Sequence, residues 1–336
     1  MIGNIHTIKE LSAFLMIDQD ELQAIQPDKH YSVFKIPKPG STEKRTIETP
    51  TGKLETILHR LCDGLQWLYL DHKTDAAYGF IRDIKNDPDK RNIYTNAQKH
   101  LNHDYLLNID FDHFFYQVDE NKIANIFADY NIFSLLPDTE KLLIHLVAFK
   151  GRLPMGSPTS PPLSNFATIQ LDIELSKWSE QNKITYTRYV DDLSFSSKFK
   201  ITEHHFSQIT ELLNIHRFKV NPNKMKWYDK DEIKKITGLI VGKSVTVPDE
   251  FISSFENELI KLKDLFAYAL QYPDYHVLEW ITKLKQVLNG RLAFIQMIYG
   301  KNHLVYLNFR KQLENIDNAE MIEQSVSWRY AGYEYH

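Results

Sequence analysis

The chain has a single cysteine, Cys62, among its 336 residues. No internal disulfide can form, and no zinc site can be built on paired thiolates. No stretch approaches the roughly 18 uncharged apolar residues of a membrane span, and Lys9, Glu10, Asp18 and Asp20 interrupt the first apolar positions. Neither a membrane segment nor a signal peptide is expected, and a reducing cytoplasm suits the composition. Internal repeats and low-complexity segments are also missing. Nor is there an excess of positive charge: the formal net charge is −4, which at first sight argues against a nucleic-acid partner. Charge is local, however. Between Lys198 and Lys243 ten basic residues face five acidic ones, an excess of +5 that suits a phosphate-contacting surface.

What is present centres on Thr185–Ser197. Alternating residues there flank Asp191 and Asp192, which reads as two short strands joined by a tight turn with Val190-Asp191-Asp192 at its tip. Adjacent carboxylates repel one another, and Tyr189, Val190, Leu193 and Phe195 place them near a buried sheet. A hard divalent cation with oxygen ligands would neutralise them. An Asp-Asp turn facing solvent is the alternative. The balance moves with a third acid upstream. Tyr105–Ile109 is an apolar run that ends at Asp110, so the Asp110 carboxylate is expected at the end of a central strand. Asp112 competes for that role but falls in the following turn, where it would cap a helix starting near Phe114.

The remaining chain supplies the frame. Residues 1–30 read as a small helical cap with Thr7 as an N-cap. Residues 31–49 alternate on either side of Pro37–Ser41 and predict a β-hairpin from which Lys38, Lys44 and Arg45 project. Leu54–Leu70 has the spacing of an amphipathic helix, and 120–150 is expected to be helical. Leu153–Asn165, with four prolines and Gly156, is expected to be a rigid loop before a helix over Phe166–Trp178. After the paired aspartates come a helix over Glu203–Asn214, a strand at Phe218–Val220, a second hairpin around Gly242-Lys243, and helices from Asp249 to about residue 315.

Taken together, Asn108–Phe115, Leu153–Pro161 and Tyr189–Asp192 resemble the A, B and C motifs of reverse transcriptases, in the family's order. Within that family the chain is most similar to bacterial retron reverse transcriptases. Asn96-Ala97-Gln98-Lys99-His100 matches the retron Asn-Ala-x-x-His pattern, and Ile236-Thr237-Gly238 resembles the Val-Thr-Gly motif. Ile236 replaces that valine, Met155 stands where the family has Gln, and Val190 where Ala is commoner.

The resemblance implies an α/β (α+β) chain with a right-hand polymerase fold, its palm an antiparallel sheet with packed helices. The expected division is a cap at 1–30, fingers at 31–105, a palm at 106–248 with a fingers insertion at about 120–165, and a helical thumb with a tail at 249–336. The resemblance also implies roles. Asp110, Asp191 and Asp192, with the Phe111 carbonyl, would hold two Mg²⁺ ions, and dNTPs would be the substrates. Lys38 and Arg45 would neutralise the triphosphate, Phe115 would exclude a 2′-hydroxyl, and Met155 and Gly156 would face the nascent base pair. Lys224 is a candidate proton donor. Thr237 and Gly238 would lie near primer and RNA, while Asn96 and His100 would contact RNA or fix the fold. The implied partners are a cognate structured noncoding RNA, its RNA–DNA product and a separate effector protein.

Overall fold

A computed structural model describes residues 2–37, 42–272 and 275–317. The chain divides into two compact units, Met1–Thr237 and Gly238–His336, each with its own apolar core.

The first unit begins with α1 (Ile8–Leu15), whose start is fixed by a reciprocal cap: Glu10 N donates to Thr7 Oγ1 at 3.2 Å and Thr7 N to the Glu10 carboxylate at 3.0 Å. Helix α2 (Gln19–Ala24) is capped by Asp18. Strands β1 (Tyr31–Pro37) and β2 (Lys44–Pro50) pair antiparallel as the alternation predicts, with Ile36 opposite Arg45. Helix α3 (Gly52–His72) buries Leu54, Ile57, Leu58, Leu61 and Leu65, the i, i+3, i+4 spacing of one helix face. Helix α4 (Ile93–Gln98) follows an Asn92 cap.

Strand β3 (Tyr105–Asp110) leads to α5 (Glu120–Phe127), α6 (Pro137–Val147), α7 (Ser160–Ala167) and α8 (Ile169–Gln181). Then come β4 (Thr185–Tyr189), β5 (Asp192–Ser197), α9 (Glu203–Ile215), β6 (Lys226–Tyr228) and β7 (Lys234–Ile236). The central sheet has the order β4-β5-β3-β6, and every neighbouring pair in it is antiparallel. Leu107, Ile109, Leu193 and Phe195 are fully buried and point to one face, as the period of two requires.

Three local expectations are corrected. The helix expected from Phe166 starts at Ser160, because Pro161 and Pro162 fall in its first turn, where the missing N–H groups cost nothing. Phe218–Val220 forms only an isolated bridge from Val220 to Phe111, and the fourth sheet strand is β6, whose three residues are too short to show alternation. Asp112 does not cap the short 3₁₀ helix at Phe114–Gln117; His113 stands at that cap, and Asp112 N donates to the Lys219 carbonyl at 2.9 Å.

In the second unit β8 (Leu239–Val241) pairs with β9 (Val245–Thr246), which realises the predicted turn at Gly242-Lys243. Helices α10 (Asp249–Gln271), α11 (Tyr275–Tyr299) and α12 (Leu304–Asp317) then close a core of Phe255, Leu259, Leu262, Leu288, Ile295 and Phe309. Among the described residues no helix is long and apolar enough to cross a membrane.

Candidate active site

The strand register places the acids. Asp110, the last residue of β3, lies opposite Asp192, the first of β5. Asp191 sits in the tight turn between β4 and β5, and its carbonyl accepts a hydrogen bond from Phe111 N at 3.0 Å. Val190, beside it, takes a left-handed conformation with φ +60. Three carboxylate oxygens, one each from Asp110, Asp191 and Asp192, thereby lie within 4.8 Å of one another.

Such crowding works against ionisation. Burial, then Asp191 and Asp110, push the Asp192 carboxyl up to about 7, and burial with the Asp110 charge also raises Asp191. The Lys224 Nζ donates to Asp110 Oδ1 at 2.7 Å. Burial opposes the Lys224 charge, but its bond to Asp110 and the surrounding carboxylates outweigh this and raise its pKa. One ammonium against three acids leaves an excess of negative charge. Hard carboxylate oxygens at this spacing, partly buried and under-neutralised, fit a divalent cation such as Mg²⁺.

The other predicted residues fall at defined places. Arg45 projects from β2, and its positive charge acts on Asp191. Lys38 lies outside the described residues. Phe115, in the 3₁₀ helix after β3, stacks on Phe80 with centroids 5.9 Å apart and planes 22° apart. The Met155 carbonyl accepts from Glu48 N at 2.7 Å, which ties the Leu153–Pro158 loop to β2. Gly156 has φ +128, and a Cβ there would come within 2.9 Å of the Glu48 carbonyl oxygen, so only glycine fits.

His100 is 2% exposed; its ring nitrogens meet Ser196 Oγ at 2.6 Å and Thr187 Oγ1 at 2.7 Å on the central sheet. Burial and the nearby His103 lower its pKa to about 3, so it is neutral. Asn96, also buried, has no hydrogen-bond partner for either amide atom. Thr237 has φ +47 and an unpartnered buried Oγ1, and Gly238 has φ +84.

Two buried ion pairs were not anticipated. Glu48 accepts both guanidinium nitrogens of Arg152, at 2.7 and 3.0 Å, and so anchors the base of the β1–β2 hairpin. Arg188 on β4 pairs with Asp172 on α8, and neither side chain has any exposure. The Arg188 Nη1 also donates to the Val190 carbonyl at 3.0 Å and to Asn165 Oδ1 at 3.2 Å. The available signal was a charged residue within a strand whose neighbours are buried.

The reverse transcriptase (RNA-dependent DNA polymerase) family model matches residues 36–241. The chain therefore belongs to that family, with its right-hand polymerase fold and its RNA-directed DNA polymerase activity. More narrowly, it is a bacterial retron-type member. It is 30% identical to the Retron Ec83 reverse transcriptase of Escherichia coli over 235 residues, which span 66% of this chain and 72% of that protein. It is 23% identical to the Retron Ec86 reverse transcriptase of Escherichia coli over 325 residues, 94% of this chain and 90% of that one. A solved structure of telomerase from Candida albicans with a telomeric RNA fragment aligns at TM-score 0.47 and 10% identity, covering 92% of this chain and 67% of that one.

Proposed function

We propose that this polymerase copies a cognate structured noncoding RNA by two-metal nucleotidyl transfer, priming from a 2′-hydroxyl within that RNA to give a branched RNA–DNA (msDNA). The observation that supports the metal chemistry is the convergence of Asp110, Asp191 and Asp192 within 4.8 Å at the end of the sheet, and the similarity to retron reverse transcriptases supports the template and the priming. These acids, assisted by the Phe111 carbonyl, would hold two Mg²⁺ ions, which when bound activate the priming hydroxyl and stabilise the pyrophosphate leaving group.

The chain's own residues do the rest. Arg45, with Lys38, meets the triphosphate of the incoming dNTP. Phe115 lies beneath the sugar and excludes a 2′-hydroxyl by steric clash. Met155 and Gly156 face the nascent base pair, held in place by the bond from Glu48 N to the Met155 carbonyl. Lys224, whose Nζ bonds Asp110 Oδ1 at 2.7 Å, would donate a proton to the pyrophosphate. Asn96, Thr237 and Gly238 contact the RNA or primer, and His100 fixes the strands behind them. The enzyme works in the cytoplasm, with a separate effector protein, in antiphage defence.

The test is to purify the protein with its bound nucleic acid and treat that nucleic acid separately with RNase and DNase. A species shortened by both, joined through a 2′-linkage, is the expected result. DNA attached to protein and free of RNA would overturn the priming assignment in favour of a protein-primed polymerase.

A further inference from the structure

A steric gate discriminates only if it cannot yield. A ribonucleotide differs at the sugar by one hydroxyl, and a small retreat of the gating ring would admit it. Phe115 has room to retreat: together with Glu55, His59, Gly156 and Pro158 it lines a cavity of about 280 Å³. Phe80 lines the same cavity, and its ring stacks on Phe115 with centroids 5.9 Å apart.

Phe80 reaches this position from an unusual backbone. Its φ is +56, a conformation that bulky side chains adopt only when their surroundings impose it. The imposing group is Asn165, which has no exposure. Its Nδ2 donates to the carbonyls of Gly79 at 3.0 Å and Phe80 at 3.5 Å. Its Oδ1 accepts from Arg188, which is itself fixed by Asp172 and also holds the Val190 carbonyl. One buried amide thus ties the bend at Phe80 to the turn that carries Asp191.

We propose that Phe80, locked by Asn165, is a positioning residue that braces the Phe115 ring and sets how strictly the polymerase rejects ribonucleotides. This rests on the reading of Phe115 as the sugar gate and deepens it.

The test compares kcat/KM for insertion of a dNTP and of the matching rNTP on the same enzyme preparation, so that any inactive fraction cancels in the ratio. Phe115→Val tests the gate itself and is expected to collapse the ratio. Phe80→Leu is expected to lower it roughly tenfold, because a flexible branched chain cannot hold the ring. Phe80→Tyr keeps the stacked ring and is expected to restore the ratio. Asn165→Asp keeps the acceptor for Arg188 but removes both donors to the Gly79-Phe80 bend. It should reproduce the Phe80→Leu loss, and it serves if Phe80→Leu does not fold. A wild-type ratio in both Phe80→Leu and Asn165→Asp, with the ratio lost in Phe115→Val, overturns the brace and leaves the gate standing. An unchanged ratio in Phe115→Val overturns the gate and the brace together.

Discussion

Arg188 and Asp172 form an ion pair at 2.7 Å with neither side chain exposed, directly behind the turn that presents Asp191. Tyr186 Oη and Thr74 Oγ1 also donate to the Asp172 carboxylate, so its acceptor capacity is well used.

Removing one partner strands the other in the core. Asp172→Asn is expected to destabilise the protein by about 3–5 kcal/mol. Urea unfolding followed by tryptophan fluorescence measures this, and a loss below about 1 kcal/mol would show that the pair is dispensable. A combined Arg188→Met and Asp172→Leu exchange should recover only part of the stability, because Tyr186 Oη and Thr74 Oγ1 lose their acceptor. Polymerase activity should not return with it, because the Val190 carbonyl has lost its donor.

Replacing Asp191 and Asp192 removes two of the three carboxylates proposed to hold the cation. Asp191→Asn with Asp192→Asn is expected to reduce DNA synthesis by on the order of 10³-fold or more. It should also raise stability in the absence of divalent ions, since it relieves the repulsion that lifts the Asp192 pKa. RNA retention on a filter should be close to wild type. Undiminished synthesis would remove the metal assignment.

His100 gives the fold an acid sensitivity. Its pKa in the native state is about 3, against 6.5 when exposed. Below pH 6.5 the unfolded chain therefore binds a proton that the native chain refuses, and stability falls by up to about 1.4 kcal/mol per pH unit. His103, which meets the same Ser196 hydroxyl and whose pKa burial also lowers, adds to the effect. Asp192, whose raised pKa makes the native chain take up a proton over the same range, opposes this, so the test is made in the Asp191→Asn, Asp192→Asn background. Urea midpoints at pH 7 and pH 5 should lie further apart there with His100 than with His100→Gln. Equal pH dependence in the two proteins would contradict the assignment.

Gly156→Ala places a Cβ against the Glu48 carbonyl and forces φ away from +128. A backbone conflict of this kind costs on the order of 1–3 kcal/mol. It displaces the loop at Met155, so the KM for dNTP should rise about tenfold while the fold survives. Steady-state kinetics at saturating template reads this directly, and an unchanged KM would separate Gly156 from nucleotide binding.

Much of the site was legible in the sequence because it follows simple periodicities. An apolar run ending at Asp110 and an alternating hairpin tipped by Asp191 fix two strand ends, and antiparallel pairing then brings the acids together. The amphipathic face of α3 and the Thr7 cap were readable for the same reason. What escaped depends on partners distant in sequence. Glu48 and Arg152 are 104 residues apart, and neither carries a local mark of the bond it makes. Asn165 looked like part of a proline-rich connector, although its amide is fully enclosed. Strand β6 is three residues long and owes its place to pairing with β3 rather than to its own pattern.

The close approach of Gly79 to Val190 also limits how this enzyme can change over generations. A Cβ at position 79 would meet Val190 Cγ2 at 2.5 Å and the Val190 amide nitrogen at 2.7 Å. Trimming the side chain at 190 relieves the first clash and not the second, because the second atom belongs to the backbone of every residue. Position 79 is therefore closed to every side chain, whatever stands at 190. No compensating substitution at 190 reopens it, because the amide nitrogen stays in place.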